Sequence, residues 1–170
     1  PLTNLRKDKY GGDFGGRTRF LLEIIQSIKK KTGESFPIIC RMNGDDYYQG
    51  GLTLADAKKI AQAIEKARVN AIHVSGGIYD SQNGESTAPM WVPRGFMVPL
   101  AQAIKESVRI PVIAVGRIND IKLAEEIVDN GQADLVSMGR ALIADPELPR
   151  KAVERKLGER RPCIACNEGC

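Results

Sequence analysis

The stretch from Ile110 to Asp145 limits the possible folds most strongly, because it contains the same arrangement twice. An apolar, β-branched run from Ile110 to Val115 ends in Gly116-Arg117, and after a helical pattern a second run from Ala133 to Met138 ends in Gly139-Arg140. This pattern predicts a strand–helix–strand unit with parallel strands. Both Gly-Arg pairs should then lie at the carboxyl ends of neighbouring strands.

The two Gly-Arg pairs are suited to binding phosphate. Glycine lets backbone N–H groups approach a ligand closely, and arginine offers a planar set of donors. In β/α barrels, the loops after the last two strands and the N-terminus of a short extra helix commonly form a phosphate site. We therefore interpret Gly116, Arg117, Gly139 and Arg140 as the phosphate site of a cofactor or substrate. The alternative is that the glycines only end strands and the arginines are surface residues.

Composition favours a folded domain without a nucleic-acid or membrane partner. A chain of 170 residues with 42% hydrophobic content can bury a core as a single domain. Without a bilayer-length apolar run or a signal-peptide pattern, we expect a soluble, cytoplasmic protein. The 25 basic and 21 acidic residues are interspersed, and the most basic segment, Arg150 to Arg161, also contains Glu154 and Glu159. This segment is more typical of a solvated helix face than of a nucleic-acid site.

The rest of the chain alternates helical and strand patterns. The predicted elements are a loop from Asn4 to Gly16, helices from Arg17 to Gly33, Thr53 to Arg68, Met97 to Val108, Asp120 to Gly131 and Pro149 to Leu157, and further strands from Pro37 to Asn43 and Asn70 to Ser75. Four strands, each followed by a helix, predict an α/β fold with a parallel sheet. Four such units are half of a TIM (β/α)8 barrel, and a phosphate site after the last two strands makes this the C-terminal half. A small open doubly wound sheet is the rival, but no glycine-rich dinucleotide turn follows the first strand.

Polar residues in the predicted strands are candidates for function. Arg41 lies near the carboxyl end of its strand, and a buried arginine there needs either a carboxylate or an electron-rich ligand, of which we favour the ligand. His73 lies in the next strand and is either a packed, hydrogen-bonded residue or a catalytic one. The long loop from Gly76 to Phe96 leaves the carboxyl end of that strand, where barrel substrates bind.

Three cysteines near the end of the chain form the motif Cys-x-x-Cys-x-x-x-Cys, at Cys163, Cys166 and Cys170. In a chain without secretory signals, this spacing indicates an iron–sulfur cluster or another metal site before disulfides, and zinc could use it with one more ligand. Cys40 lies in a strand far back in the chain, so we expect the fourth ligand outside this chain. Because the chain starts at Pro1 and stops within this motif, we expect it to be a piece of a longer protein.

Taken together, these motifs resemble the Old Yellow Enzyme-like flavoproteins of the 2,4-dienoyl-CoA reductase branch, and most closely the clostridial 2-enoate reductases. The resemblance covers nearly all of the chain. It rests on NLRKDKYGGDFGGRTRF, GGLTLADAKKIA, IHVSGG, VPRG, IPVIAVGRI, DLVSMGRALIADPELPRKA and RPCIACNEGC.

The resemblance implies a role for each candidate residue. Arg41 would contact the flavin ring, and Gly116, Arg117, Gly139, Arg140 and Ala141 would hold the FMN phosphate. Cys163, Cys166 and Cys170 would bind a [4Fe-4S] cluster, so residues 163–170 begin an iron–sulfur segment within a partial FMN-binding barrel domain of residues 1–170.

The resemblance also implies an activity for the longer protein. That protein would reduce an activated C=C bond of a 2-enoate or dienoyl-CoA substrate with electrons from NAD(P)H, and it could also carry FAD. The family's proton donor, a tyrosine or histidine in the preceding half, has no counterpart here, so we expect the chain to be inactive alone.

Two other functions remain open from the residues themselves. The first is a barrel enzyme that acts on a phosphorylated metabolite, which would use the same phosphate site without the cysteines. The second is a non-catalytic metal-binding module that uses the cysteines and the basic helix. A half barrel leaves edge strands and an apolar interior open, so we expect the chain to self-associate. The alternative is a monomer whose interior is covered by the long loop from Gly76 to Phe96.

Overall fold

The computed structural model describes residues 2–81 and 85–170. Its helices are α1 (Phe14–Thr32), α2 (Leu54–Lys66), α3 (Val98–Lys105), α4 (Ile121–Asp129), α5 (Arg140–Ala144) and α6 (Leu148–Val153), and its strands are β1 (Ile39–Asn43), β2 (Ala71–Ser75), β3 (Val112–Ala114) and β4 (Leu135–Val136). Two short 3-10 helices lie at Glu85–Thr87 and Leu157–Glu159. The strands form one parallel sheet in the order β1-β2-β3-β4, which confirms the predicted α/β fold with four strand–helix units.

Side-chain caps fix where the longer helices begin. The Asp13 side chain accepts a hydrogen bond from the Gly16 N–H, so α1 starts at Phe14 and not at the predicted Arg17. Thr53 and Asp56 form the reciprocal capping box predicted for α2. Asp120 caps α4 through the Lys122 N–H, again as predicted.

One face of the sheet packs against the helices and forms the core. Ile72, Val74, Val112 and Ala114 on this face are completely buried, and Ala57, Ala61, Ile64, Ala101 and Ile104 of α2 and α3 cover them. Burying one such valine or isoleucine side chain contributes roughly 1.5–3 kcal/mol. This layer therefore holds the strand–helix units together.

The opposite face of the sheet is open. Arg41, His73, Ile113 and Leu135 are partners in register across the four strands, so their side chains share this face. Leu135 is 52% exposed, and Ile39, two residues before Arg41, is 61% exposed. In a closed barrel this face would be the interior.

The strands are shorter than their apolar runs predicted. The run from Ile110 to Val115 forms only the three-residue β3, and the run from Ala133 to Met138 forms only the two-residue β4. The residues on either side of β4 still hydrogen-bond to β3: the Asp134 and Ser137 N–H groups donate to the Val112 and Ala114 carbonyls at 2.9 and 2.8 Å, and the Asp134 side chain accepts the Val112 N–H at 2.9 Å. In the described ranges, no helix is both long and apolar enough to cross a membrane.

Candidate cofactor-binding cleft

A cleft of about 550 Å³ lies at the carboxyl ends of the four strands. It is lined by residues from every strand end, by the loop before α3 and by the end of the chain: Arg41, Asn43, Ser75, Gly76, Gly77, Ser86, Thr87, Ala88, Phe96, Met97, Val115, Gly116, Arg117, Ile118, Asn119, Ser137, Gly139, Arg140, Ala141, Ile143, Cys163, Ala165 and Cys170. The structure thus brings together all the predicted cofactor-binding residues and two of the three motif cysteines. Cys166 does not line the cleft.

The turn after β3 has a backbone that only certain residues can adopt. Gly116 has a φ of 120°, and a Cβ atom there would lie 2.8 Å from the Cβ of Met97. Arg117 has a φ of 52°, in the left-handed region that non-glycine residues rarely occupy. Such conformations cost about 1–3 kcal/mol and concentrate at functional sites.

The Arg117 side chain is half-buried and incompletely paired. Its Nη1 donates a hydrogen bond to the Val92 carbonyl oxygen, which attaches the loop before α3 to the cleft. Its Nε is buried and has no hydrogen-bond partner within the described ranges. Because a buried donor without an acceptor is costly, an anionic ligand in the cleft would stabilise this arrangement.

The second Gly-Arg pair begins α5, the short extra helix expected at a barrel phosphate site. A Cβ atom added at Gly139 would meet no atom within 4 Å, so the space beside this backbone is open to a ligand. The N–H groups in the first turn of a helix have no acceptor within the helix. The Arg140 Nη1 donates to the Ala88 carbonyl oxygen at 2.8 Å and to the Asn167 side chain. Both arginines thus have defined contacts within the cleft and do not extend freely from the surface.

Arg41 and His73 face the open side of the sheet as partners in register. Arg41 is exposed in this chain and takes part in no ion pair of the described residues, so the expected burial is wrong for the chain alone. Burial and the nearby Arg41 charge lower the pKa of His73, which favours the neutral imidazole. His73 does not line the cleft, and its buried Nε2 has no hydrogen-bond partner among the described residues, so the hydrogen bond expected of a packed histidine is not found at this atom.

Two polar cleft residues were missed by the sequence interpretation. The Ser75 hydroxyl donates to Asn43 Oδ1 at 2.9 Å, and the Asn43 amide donates to the Asp46 carboxylate at 2.9 Å and the Gly77 carbonyl at 3.0 Å. This network fixes the loops after β1 and β2 at the edge of the cleft. Their position as polar residues at the carboxyl ends of predicted strands was the available signal.

The cysteine loop, residues Cys163 to Cys170, closes one side of the cleft. Asn119 donates to the Cys163 carbonyl at 2.6 Å, and the Cys163 Sγ accepts the Ala165 N–H at 3.4 Å. Ala165, Asn167 and Gly169 alternate in the left-handed region, a conformation that can turn successive N–H groups toward an anion.

The three cysteines are free thiols, and thiolates with such N–H donors suit an iron–sulfur cluster. In the parts of the chain that the structure describes, no three His, Cys, Asp or Glu side chains are placed to hold one metal ion.

Parallel strand–helix units with an arginine-lined cleft at their carboxyl ends define part of a β/α-barrel protein. The chain belongs to the NADH:flavin oxidoreductase / NADH oxidase family, whose model matches residues 1–158. This match confirms the resemblance inferred from the sequence motifs.

Individual relatives agree with this assignment. The chain is 49% identical over 170 residues to an NADH oxidase of Thermoanaerobacter brockii, covering 100% of this chain and 26% of the relative. It is 35% identical to a cinnamate reductase of Clostridium sporogenes, covering 98% of this chain and 27% of the relative.

A solved structure of a 2-naphthoyl-CoA reductase complex superposes with a TM-score of 0.94 at 34% identity, covering 99% of this chain and 26% of that one. The chain therefore spans about a quarter of the length of these relatives.

Proposed function

We propose that the protein containing this chain is an FMN-dependent oxidoreductase that reduces an activated C=C bond. Its electrons come from NADH or NADPH and pass through the flavin and a [4Fe-4S] cluster. The substrate class is a small 2-enoate or an enoyl or dienoyl thioester, in line with the relatives named for cinnamate and 2-naphthoyl-CoA. The observation that carries the proposal is the meeting of both Gly-Arg pairs and the cysteine loop in one cleft.

The chain's main task in this proposal is to hold the FMN phosphate. Arg117 contributes its unpaired Nε, Arg140 its guanidinium, and Gly139 with Ala141 the open backbone at the start of α5. Because Gly116 has no side chain, Met97 can pack directly against its backbone, and Gly116 places no side chain in the cleft. Charge-assisted bonds from a rigid arginine fork suit a phosphate dianion.

Arg41 is assigned to the flavin ring. When bound, a flavin accepts hydride from a nicotinamide and passes hydride to an activated alkene. Arg41 lines the same cleft as the proposed phosphate site. Its guanidinium forms no ion pair with the described residues. Its positive charge would stabilise negative charge on the ring.

The cysteine loop is assigned to the [4Fe-4S] cluster. Cys163, Cys166 and Cys170 supply three thiolates, and the fourth ligand is proposed to lie outside this chain. Cys163 and Cys170 line the cleft, so a cluster held there would lie next to the flavin site. FAD in the longer protein would be a separate cofactor, outside this cleft.

The 170-residue chain alone is proposed to be inactive. Among the described residues that line the cleft there is no tyrosine or histidine, the two proton donors expected for this family. That proton donor is assigned to the preceding half of the barrel.

The test uses the full-length protein, purified without oxygen. We expect flavin absorbance released as FMN, iron and sulfide in a ratio close to one cluster per chain, and NAD(P)H oxidation that depends on cinnamate or an enoyl-CoA. A preparation that holds zinc without flavin would contradict the proposal in favour of a metal-binding module.

Dioxygen is a second candidate acceptor, because the relative with 49% identity is named an NADH oxidase. Comparing NAD(P)H oxidation in air and under argon, each with and without the alkene, separates the two acceptors. Alkene-dependent oxidation under argon supports alkene reduction, and oxidation that requires air and ignores the alkene supports the oxidase.

A further inference from the structure

Asn167 of the cysteine loop connects that loop to the phosphate site. Its side-chain oxygen accepts a hydrogen bond from Arg140 Nη1, and its amide nitrogen donates to the Thr87 carbonyl at 2.8 Å. The same Arg140 Nη1 also donates to the Ala88 carbonyl at 2.8 Å. One arginine nitrogen therefore joins α5, the loop before α3 and the cysteine loop.

These contacts fix the direction of the Arg140 guanidinium. Nη1 has two hydrogens, and the Ala88 and Asn167 oxygens use both. The Nε and Nη2 of Arg140 have no partner among the hydrogen bonds of residues 2–81 and 85–170. Because the guanidinium is planar, fixing Nη1 also fixes where these remaining donors point.

The backbone of Asn167 is adapted to this contact. Its φ is 61°, a left-handed value that asparagine adopts more readily than most other residues with side chains. Cys166, immediately before it, is one of the proposed cluster ligands and is exposed. Binding of that thiolate would restrict the loop at the residue next to Asn167.

We propose that Asn167 is a positioning residue of the phosphate site and links occupation of the cysteine loop to flavin affinity. The inference rests on the proposed function, because it takes the anion to be the FMN phosphate and the loop to hold the cluster. Ordering the loop presents the Asn167 oxygen to Arg140, and this holds the remaining donors for the phosphate. By thermodynamic linkage, a bound phosphate also favours the ordered loop.

The first test compares FMN with riboflavin, which lacks the phosphate, on flavin-free, cluster-loaded full-length protein. Asn167→Gly removes the side chain without straining the left-handed backbone. We expect it to raise the Kd for FMN roughly three- to tenfold, within the range of a typical net hydrogen bond because Asn167 acts on the phosphate only through Arg140, and to leave the Kd for riboflavin within about twofold. An equal loss of affinity for both flavins, or no loss of affinity for FMN, would overturn the proposal.

Glu168→Gly is the matched control. Glu168 lies in the same loop, is exposed and makes no hydrogen bond among those of the described residues, so its removal loosens the loop without touching Arg140. We expect its Kd for FMN to stay within about twofold of the wild type, below the effect of a lost hydrogen bond to a charged group. A weakening as large as that of Asn167→Gly would assign the effect to loop flexibility and reject the positioning role.

A double-mutant cycle tests whether Asn167 acts through Arg140. In an Arg140→Ala background, Asn167→Gly should cause no further loss of FMN affinity, because its partner is gone. Additive losses would show that Asn167 acts independently of Arg140, and would reject the positioning role.

Removal of the cluster tests the linkage. Chelation of iron from the wild type should weaken FMN binding by a factor similar to that of Asn167→Gly, and chelation should have little effect on the variant. The linkage is contradicted if removing the cluster weakens FMN binding equally in both proteins, or if it does not weaken FMN binding in the wild type. A wild type that binds neither FMN nor a cluster would contradict the proposed function itself, which is a distinct result.

Discussion

Arg117 shows how one residue combines backbone strain, a loop contact and an available charge. Its left-handed backbone follows Gly116, its Nη1 attaches the loop at Val92, and its Nε is buried without a partner in the described ranges. Strain of this kind persists only where the surrounding structure fixes the residue. The strained backbone and the Val92 contact therefore fix where the Arg117 guanidinium borders the cleft.

Arg117→Ala in the full-length protein is expected to weaken FMN binding. A hydrogen bond to a charged group contributes about 1.5–3 kcal/mol, which corresponds to a Kd for FMN raised roughly tenfold or more. Fluorescence titration of the flavin-free protein with FMN measures this Kd. Arg94→Ala is the control, since Arg94 is an exposed arginine that does not line the cleft. An FMN affinity within twofold of wild type for Arg117→Ala would reject the phosphate role.

Arg41→Ala should leave FMN bound but lower the flavin reduction potential. The reduced ring would lose a nearby positive charge, so its negative charge would be less stabilised. A loss of about 1.4 kcal/mol corresponds to about 30 mV for a two-electron couple. Arg41→Lys keeps the positive charge, so its flavin reduction potential should stay close to that of the wild type. Potentials of Arg41→Ala and wild type that coincide in a spectroelectrochemical titration would count against this role.

At the level of elements, the turn from α5 to α6 is held by a buried carboxylate, Asp145. This side chain is completely buried and accepts hydrogen bonds from the Lys151 ammonium at 2.8 Å, the Arg161 N–H at 2.9 Å and the Glu147 N–H at 3.2 Å. Arg161 lies just before the cysteine loop. Asp145 therefore connects the end of α5 to the segment just before the cysteine loop.

The stability that Asp145 contributes should depend on pH. The hydrogen bond from Lys151, with that from the Arg161 N–H, lowers the pKa of Asp145 below its ordinary value of 3.8. A lowered pKa in the folded state means that the contribution is complete above about pH 4 to 5 and is lost as the pH falls through the folded value.

Asp145→Asn tests this pH dependence. Its thermal midpoint should lie below that of wild type near neutral pH. The difference should shrink as the pH falls below about 4, because the unfolded wild-type chain then binds a proton at Asp145 that the folded chain does not yet bind. Calorimetry across pH 3 to 7 measures both midpoints. Asp129→Asn, which removes an exposed carboxylate without a described partner, serves as the control. A difference that stays constant over this pH range would contradict the assignment.

The sequence predicted elements and strand-end residues well, because both depend on local patterns. Apolar runs followed by Gly-Arg located the two pairs, and the structure places them in one cleft. Arg41 was predicted at the carboxyl end of its strand, but its exposure depends on what covers the open face. The contacts of Asn167 with Arg140 and Thr87 could not be predicted, because they join segments far apart in the chain.

At the scale of the whole molecule, the open face of the sheet determines whether the isolated chain is expected to self-associate. β1 and β4 each have one neighbouring strand, and Ile39 and Leu135 are 61% and 52% exposed on that face. In the longer relatives the rest of the chain has room to cover such a face, since this chain spans only about a quarter of their length. An isolated chain leaves these edges and apolar side chains in water.

The isolated 170-residue chain is therefore expected to self-associate. Parallel edge strands related by a two-fold axis can pair β4 of one copy with β1 of the other, which would close an eight-stranded barrel from two halves. Multi-angle light scattering at micromolar concentration should show a dimer or larger species. Replacing Ile39 and Leu135 together by lysine should raise the monomer fraction, because the charges would have to be buried on association. Leu5→Lys, at an exposed position outside the sheet, should leave the distribution unchanged. A monodisperse wild-type monomer would defeat the proposal.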